Sequence, residues 1–177
     1  AGALSAPTAG ITNSGRMTLT GDLAAFGALV NTGTMTVVDG SLTETGALTS
    51  RGGGQITMAA GRLLSASGGI VNGDTTGATF STISLTGGGL VSTSTAGISQ
   101  RLTGRITGFG SLVAVAGSIG NAGTIITSGG ALTISGSLTN SKRVDVSGGD
   151  LIGSSLTNNS GGSITLGGYR IVTTGDI

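Results

Sequence analysis

The chain has 177 residues, a length that suits one domain, but its composition is unlike that of an ordinary enzyme. It contains 37 glycines, 8% charged residues, 2% aromatic residues and neither cysteine nor histidine, which excludes disulfides and most nucleophile–base pairs. A net charge of +1 with a mean hydropathy of +0.38 predicts a folded chain with no basic field for nucleic acid.

Two long stretches lack charge, residues 75–100 and 106–141. Both are interrupted every few residues by glycine, serine, threonine or asparagine. Neither therefore offers the roughly 20 predominantly apolar residues that a transmembrane helix needs, and we expect no transmembrane segment.

A short phrase recurs from residue 11 onwards: an aliphatic residue, one intervening residue, an asparagine and, in several copies, a glycine two places later. Asn31 follows Asn13 by 18 residues, and Asn140 follows Asn121 by 19. Such regular spacing predicts a repeat architecture. The aliphatic residues that begin the eight copies are Ile11, Leu29, Leu48, Ile70, Ile98, Ile119, Leu138 and Leu156. The residues at the asparagine position are Asn13, Asn31, Ser50, Asn72, Gln100, Asn121, Asn140 and Asn158.

Each copy continues with a short run in which apolar residues alternate with mainly polar ones, the period-2 pattern of a strand buried on one face. The predicted inward residues of these runs are Met17, Leu19, Met35, Val37, Ile56, Met58, Ile125, Val144, Val146, Ile164 and Leu166. A turn and a second apolar stretch follow, at Leu23, Leu42, Leu63, Leu90, Leu112, Leu132, Leu151 or Tyr169.

One repeat is too small to bury its own apolar face, but it can cover that of its neighbour. The sequence therefore predicts an all-β, single-domain parallel β-helix, or β-solenoid, of about eight coils. Each coil should have roughly 18 to 22 residues and about three short strands. Residues 1–10 form a lead segment and residues 11–177 the solenoid, with an irregular insertion around residues 73–81. Stacking at about 4.8 Å per coil gives a rod on the order of 40 Å long.

The recurring asparagine is expected to serve structure rather than catalysis. It tolerates left-handed backbone geometry at a corner. Its amide can also donate to the copy above while its carbonyl accepts from the copy below, which builds a ladder.

Candidate catalytic groups are few. Asp145 and Asp150 share one coil, near Lys142 and Arg143, and Asp39 and Glu44 share another. Asp145 faces outward between two valines, whereas Asp150 follows a glycine turn, so we interpret all four carboxylates as solvated surface charges. The segment 147–151 resembles part of a calcium-binding nonapeptide but does not recur every nine residues. We therefore expect a non-enzyme without metal or cofactor.

Ice binding is a further hypothesis for a threonine-rich solenoid. A flat ice-facing sheet would present Thr-x-Thr pairs in successive coils. Only Thr34 and Thr36 form such a pair here, and two equivalent pairs carry charges, which favours an ordinary threonine ladder on a solvated face.

The runs 29–37, 119–134, 138–146 and 156–166 resemble the degenerate repeats of large secreted bacterial surface proteins, namely filamentous-haemagglutinin-like adhesins and autotransporter passenger domains. The resemblance implies a right-handed β-helix that is extracellular or at the cell surface. The expected function is a structural rod that forms or displays a surface fibre, possibly by end-to-end homopolymerisation. The alternatives are an excised adhesin segment and a carbohydrate-binding, lytic or ice-binding solenoid. The expected partners are further copies of the chain and a host glycan or surface receptor, with no nucleic acid.

Overall fold

The computed structural model describes residues 4–6, 10–25 and 27–175; the side chains of residues 4–6 and 25 lie outside that description. The predicted lead segment is therefore described only at residues 4–6 and 10. Within the described residues the secondary structure consists of strands. In chain order they are β1 (Leu4–Ala6), β2 (Ile11–Asn13), β3 (Arg16–Thr20), β4 (Leu23–Ala25), β5 (Leu29–Asn31), β6 (Thr34–Asp39), β7 (Leu42–Glu44), β8 (Leu48–Ser50), β9 (Gln55–Met58), β10 (Leu63–Ala66), β11 (Ile70–Asn72), β12 (Ser81–Ser92), β13 (Ile98–Gln100), β14 (Gly104–Ala114), β15 (Ile119–Asn121), β16 (Thr124–Asn140), β17 (Arg143–Val146), β18 (Leu151–Asn158), β19 (Ser163–Leu166) and β20 (Ile171–Thr173).

The strands pair in parallel as three stacked ladders. Sheet A, which carries the asparagine position, contains β2, β5, β8, β11, β13, β15 and the last parts of β16 and β18. Sheet B, which carries the alternating runs, contains β3, β6, β9, the first parts of β12, β14 and β16, and β17 and β19. Sheet C contains β1, β4, β7, β10, the last parts of β12 and β14, the middle of β16, the start of β18, and β20.

The register confirms the predicted all-β parallel solenoid of about eight coils. Ile11 pairs with Leu29, Leu29 with Leu48, and Leu48 with Ile70. The same ladder continues without a slip through the irregular middle of the chain to Leu138 and Leu156. Equivalent residues of the sequence repeat are thus direct neighbours in space.

The core is a column of small aliphatic side chains that project inward from all three sheets. Because side chains alternate along a strand, one residue in two enters the column and stacks on its equivalent in the next coil. Met35, Ile56 and Val144 are at most 1% exposed. Met17 and Ile164, in the first and last coils of sheet B, are only half-buried because the described chain covers them on one side.

One predicted inward residue, Leu166, is not buried, and two residues that mark the second apolar stretch, Leu63 and Tyr169, are exposed. Leu64, not Leu63, pairs with Leu42 and is buried, whereas Leu63 is 45% exposed. Ile171 occupies the sheet C position expected for Tyr169, which is 42% exposed. Leu166 has the predicted strand but not the predicted burial, since it is 54% exposed in the last described coil.

The corners between the sheets differ in length. Among the corners that lead from sheet A to sheet B, the longest comprises residues 73–80. Among the described residues, every positive φ belongs to a glycine, so the expectation of left-handed asparagines is wrong. Gly73, at φ 88°, opens the long loop and lies against the backbone of Gly104, where a Cβ would collide.

Candidate functional site

The ladder residues project into the solenoid at the corner between sheets A and B. All but Asn158 are buried. Asn13 Nδ2 donates to Asn31 Oδ1 at 2.7 Å, and Asn121 Nδ2 donates to Asn140 Oδ1 at 2.8 Å. Asn140 Nδ2 in turn donates to Asn158 Oδ1 at 2.7 Å. The amides therefore form chains that run in one direction along the rod.

Asn13, Asn72, Asn121 and Asn140 also use the second hydrogen of the amide, each for a backbone carbonyl. Asn121 Nδ2 donates to Arg143 O at 2.8 Å, and Asn140 Nδ2 donates to Ser163 O at 3.1 Å. These carbonyls belong to the first residue of the sheet B strand in the next coil, where the corner would otherwise leave a buried acceptor. The ladder thus fastens sheet A of one coil to sheet B of the next.

Two interruptions divide the ladder. Ser50 is too short to bridge the coils, and its Oγ donates to Gly54 O at 3.2 Å within its own coil. As a result Asn31 Nδ2 donates only to Gln55 O, and Asn72 Oδ1 is buried without a partner among the described residues. Gln100 accepts from Asn72 at 2.8 Å but donates to Thr124 O rather than to the next asparagine.

In the coils of Gln100 and Asn158 a glycine four residues after the ladder position leaves the space in which the ladder side chains lie. A Cβ on Gly104 would meet Gln100 Oε1 at 2.9 Å and would come closer still to Asn72 O. A Cβ on Gly162 would meet Asn140 O at 2.7 Å and Asn140 Nδ2 at 3.1 Å. Real Cβ atoms do not approach polar atoms this closely, so Gly104 and Gly162 each pack as one unit with the neighbouring ladder side chains.

Glu44 corrects the interpretation of all four carboxylates as solvated. It is 2% exposed and points into the core from sheet C, where Ala66 occupies the equivalent position in the next coil. Neither carboxyl oxygen has a hydrogen-bond partner among the described residues. Burial raises the pKa of Glu44 to about 8, and the nearby Leu29 N–H lowers it only in part because it donates to Ala47 O at 3.0 Å.

The two aspartates of the seventh coil are held by different arginines. Asp145 Oδ2 accepts from Arg143 at 2.7 Å on sheet B, and Asp150 Oδ2 accepts from Arg170 at 3.2 Å beside sheet C. The Arg170 backbone N–H, followed by its side chain, lowers the pKa of Asp150. The structure does not bring these carboxylates together, and no three potential metal ligands converge within the described part of the chain.

The outer face of sheet B presents two parallel rows of side chains. One row contains Thr18, Thr36, Thr57, Ser84 and Thr107 in direct register, and then changes to Ile126 and Asp145. Arginines interrupt the other row in the first, fifth and seventh coils. The regular threonine surface is therefore confined to the first half of the rod.

A groove of about 430 Å³ lies on this face where the threonine row ends. Phe80, from the long loop, lines it together with Arg105, Thr124, Arg143 and Asp145. The 28-residue interval between Ile70 and Ile98 predicts an insertion. It does not predict the groove, because an interval in sequence does not define where a loop lies in space.

No protein-family model, curated protein or solved structure matches the chain. No helix that could cross a membrane occurs among the residues that the structure describes.

Proposed function

We propose that this protein is a non-enzymatic structural rod, extracellular or at the cell surface, that forms or displays a fibre and assembles end to end with further copies of itself. The supporting observation is the apolar stacking surface that the two outermost coils of the described chain leave uncovered. The last described coil has open strand edges at β19 and β20. Its inward residue Leu166 is 54% exposed there, and its inward residues Ile164 and Ile171 are only half-buried. The first coil of sheets A and B presents the half-buried inward residues Ile11 and Met17, and Met17 is at the position that Ile164 has in the last coil.

Such edges pair readily with another strand of the same spacing. A contact between the last coil of one copy and the first coil of the next is heterologous, and repeating it generates an open filament. It would also cover the apolar residues that the outermost coils leave exposed.

The resemblance to repeats of secreted bacterial adhesins supports an extracellular location and the alternative that the chain is a segment of one long adhesin. In that alternative, further coils of the same polypeptide cover these edges. The absence of histidine and cysteine, and the separate partners of Asp145 and Asp150, support a non-enzymatic role.

Electron microscopy of the purified chain at several concentrations, with sedimentation to measure mass, tests this proposal. We expect fibres of uniform width with a layer repeat of about 4.8 Å along the axis. Leu166→Lys should abolish them by placing a charge at the joint. Val115→Lys is the matched control, since Val115 is 66% exposed beside a coil in the middle of the rod. A chain that remains monomeric at all concentrations would overturn self-assembly and favour the adhesin segment.

A further inference from the structure

The groove on sheet B combines three kinds of side chain that the rod itself does not require. Phe80 is a 57% exposed aromatic residue, Arg105 is an exposed cation, and Arg143 with Asp145 forms an ion pair. Thr124 lies between the two arginines in direct register. Its short side chain therefore forms the bottom of the groove between the two longer ones. Phe80 and Arg143 belong to coils that are three steps apart, so the groove extends about 15 Å along the rod.

The loop that carries Phe80 is held on both sides. Asp74 Oδ2 accepts from Gly52 N at 2.9 Å in the preceding coil, and Asp74 N donates to Thr103 Oγ1 at 2.8 Å in the following one. These bonds hold the start of the loop, and Gln55 Nε2 holds its end by donating to Phe80 O at 3.4 Å, so a ligand that contacts Phe80 has less of the loop to order on binding. An exposed aromatic ring in a fixed position is a common component of binding sites.

The charges of the groove favour an anion. Arg143 Nη2 donates to Asp145 Oδ2 at 2.7 Å, whereas Arg105 makes no side-chain hydrogen bond or ion pair with the described residues. The two arginines and the aspartate leave one positive charge, and its free guanidinium is suited to a carboxylate or sulfate in bidentate geometry.

We propose that this groove binds an acidic oligosaccharide. Phe80 packs on the apolar face of one sugar ring, Arg105 pairs with an acidic group, and the Thr124 hydroxyl and Asp145 carboxylate bond to ring hydroxyls. An extended peptide is less suitable, because the sheet B strands beneath the groove are already paired on both sides and offer no main-chain partners. This inference is independent of end-to-end assembly.

Isothermal titration calorimetry with three hexasaccharides tests the proposal: an oligogalacturonate, a sulfated maltohexaose and neutral maltohexaose. We expect at least one acidic hexamer to bind at least tenfold more tightly than the neutral one, and comparison of the two acidic probes distinguishes carboxylate from sulfate. If neither acidic hexamer binds more tightly than maltohexaose, the proposal is wrong.

Substitutions in the groove test whether the acidic hexamer binds there. Phe80→Ala and Arg105→Gln should each weaken the acidic hexamer at least tenfold without lowering the unfolding midpoint. Arg16→Gln is the matched control, because Arg16 occupies the same row of sheet B in the first coil, outside the groove. Equal losses for Arg16→Gln and Arg105→Gln would overturn the site in favour of general charge attraction. Electron microscopy of the same variants, which should retain any fibres, separates this proposal from that of self-assembly.

Discussion

Inside the rod, each asparagine of the ladder replaces bonds to water with bonds to the next coil. A buried amide is costly when its donors and acceptor are unpaired, and stabilising when all are used. Asn140 uses them fully: it accepts from Asn121 and donates to Asn158 and to Ser163 O. Its removal would leave partners on both sides unsatisfied.

We therefore expect Asn140→Ala to lower the free energy of unfolding by about 2 to 4 kcal/mol. Thr139→Ala, on the outer face of the same strand, should cost under about 1 kcal/mol, as most surface substitutions do. Urea unfolding followed by circular dichroism measures both. Equal losses for the two variants would mean that the amide ladder does not stabilise the rod.

Glu44 has the opposite effect on stability near neutral pH. Its pKa is about 8 in the folded chain and 4.5 when exposed, and the folded state therefore binds the extra proton between these values. The contribution of Glu44 to the free energy of unfolding is fully present below pH 4.5, falls as pH rises, and is lost above about pH 8. The neighbours Leu29 and Ala66 carry no charge that could compensate.

Between pH 5 and pH 7.5 the ionisation of Glu44 should lower the free energy of unfolding by roughly 3 kcal/mol. Glu44→Gln should remove most of this slope, whereas Asp39→Asn, at an exposed ion pair, should leave it unchanged. Asp150, whose pKa is lowered from 3.8, acts at lower pH with the opposite sign. Unfolding midpoints measured across the range test this, and a slope that persists in Glu44→Gln would contradict it.

Where strands meet at a corner, the glycine of the repeat is required for space. Gly104→Ala should cost about 1 to 3 kcal/mol, because the new methyl group collides with Gln100 and with the Asn72 carbonyl. At Gly120, in β15, no atom of the described residues lies within 4 Å of the position that a Cβ would occupy. Gly120→Ala should therefore stabilise the strand by about 0.5 to 1 kcal/mol. If both substitutions change the thermal midpoint in the same direction, this account of the corner is wrong.

The interruption of the ladder at Ser50 in β8 suggests a stabilising change. Ser50→Asn would accept from Asn31 and donate to the unpartnered Asn72 Oδ1, joining two ladder segments. We expect a gain of about 1 kcal/mol in the free energy of unfolding. Thr49→Asn, one residue earlier on the outer face, should give no gain because asparagine is unfavourable in strands. A Ser50→Asn variant less stable than Thr49→Asn would contradict the bridge.

Along the rod, each coil contacts only its neighbours, so the cost of a core substitution depends on how many neighbours the coil has. Ile125 and Ile164 occupy the same position of sheet B two coils apart. Ile125 is fully buried between coils, while Ile164 is half-buried in the last described coil.

Ile125→Ala should cost about 2 to 5 kcal/mol, and Ile164→Ala about half as much in the monomer. In assembled fibres the cost at Ile164 should rise towards that at Ile125, because a second copy would cover it. Urea titrations of the two variants below and above the assembly concentration measure this. Equal costs in the monomer would contradict the nearest-neighbour account.

Much of this architecture was predictable because it follows from repetition. The asparagine spacing and the alternating runs each identify the same coil, and parallel stacking then places Ile11 over Leu29 and Met17 over Met35. The structure shows the same pairing across the long interval before Ile98, where the spacing of the sequence left the register undefined.

Only the tertiary structure decided what happens where the repeat varies. Corners of different length reset which residue of a strand points inward, so Leu64 rather than Leu63 is buried. The loop to Phe80 similarly reaches a groove built by residues of later coils. A repeating sequence defines contacts between equivalent positions, whereas the direction of a side chain after an irregular corner depends on the full path of the backbone through space.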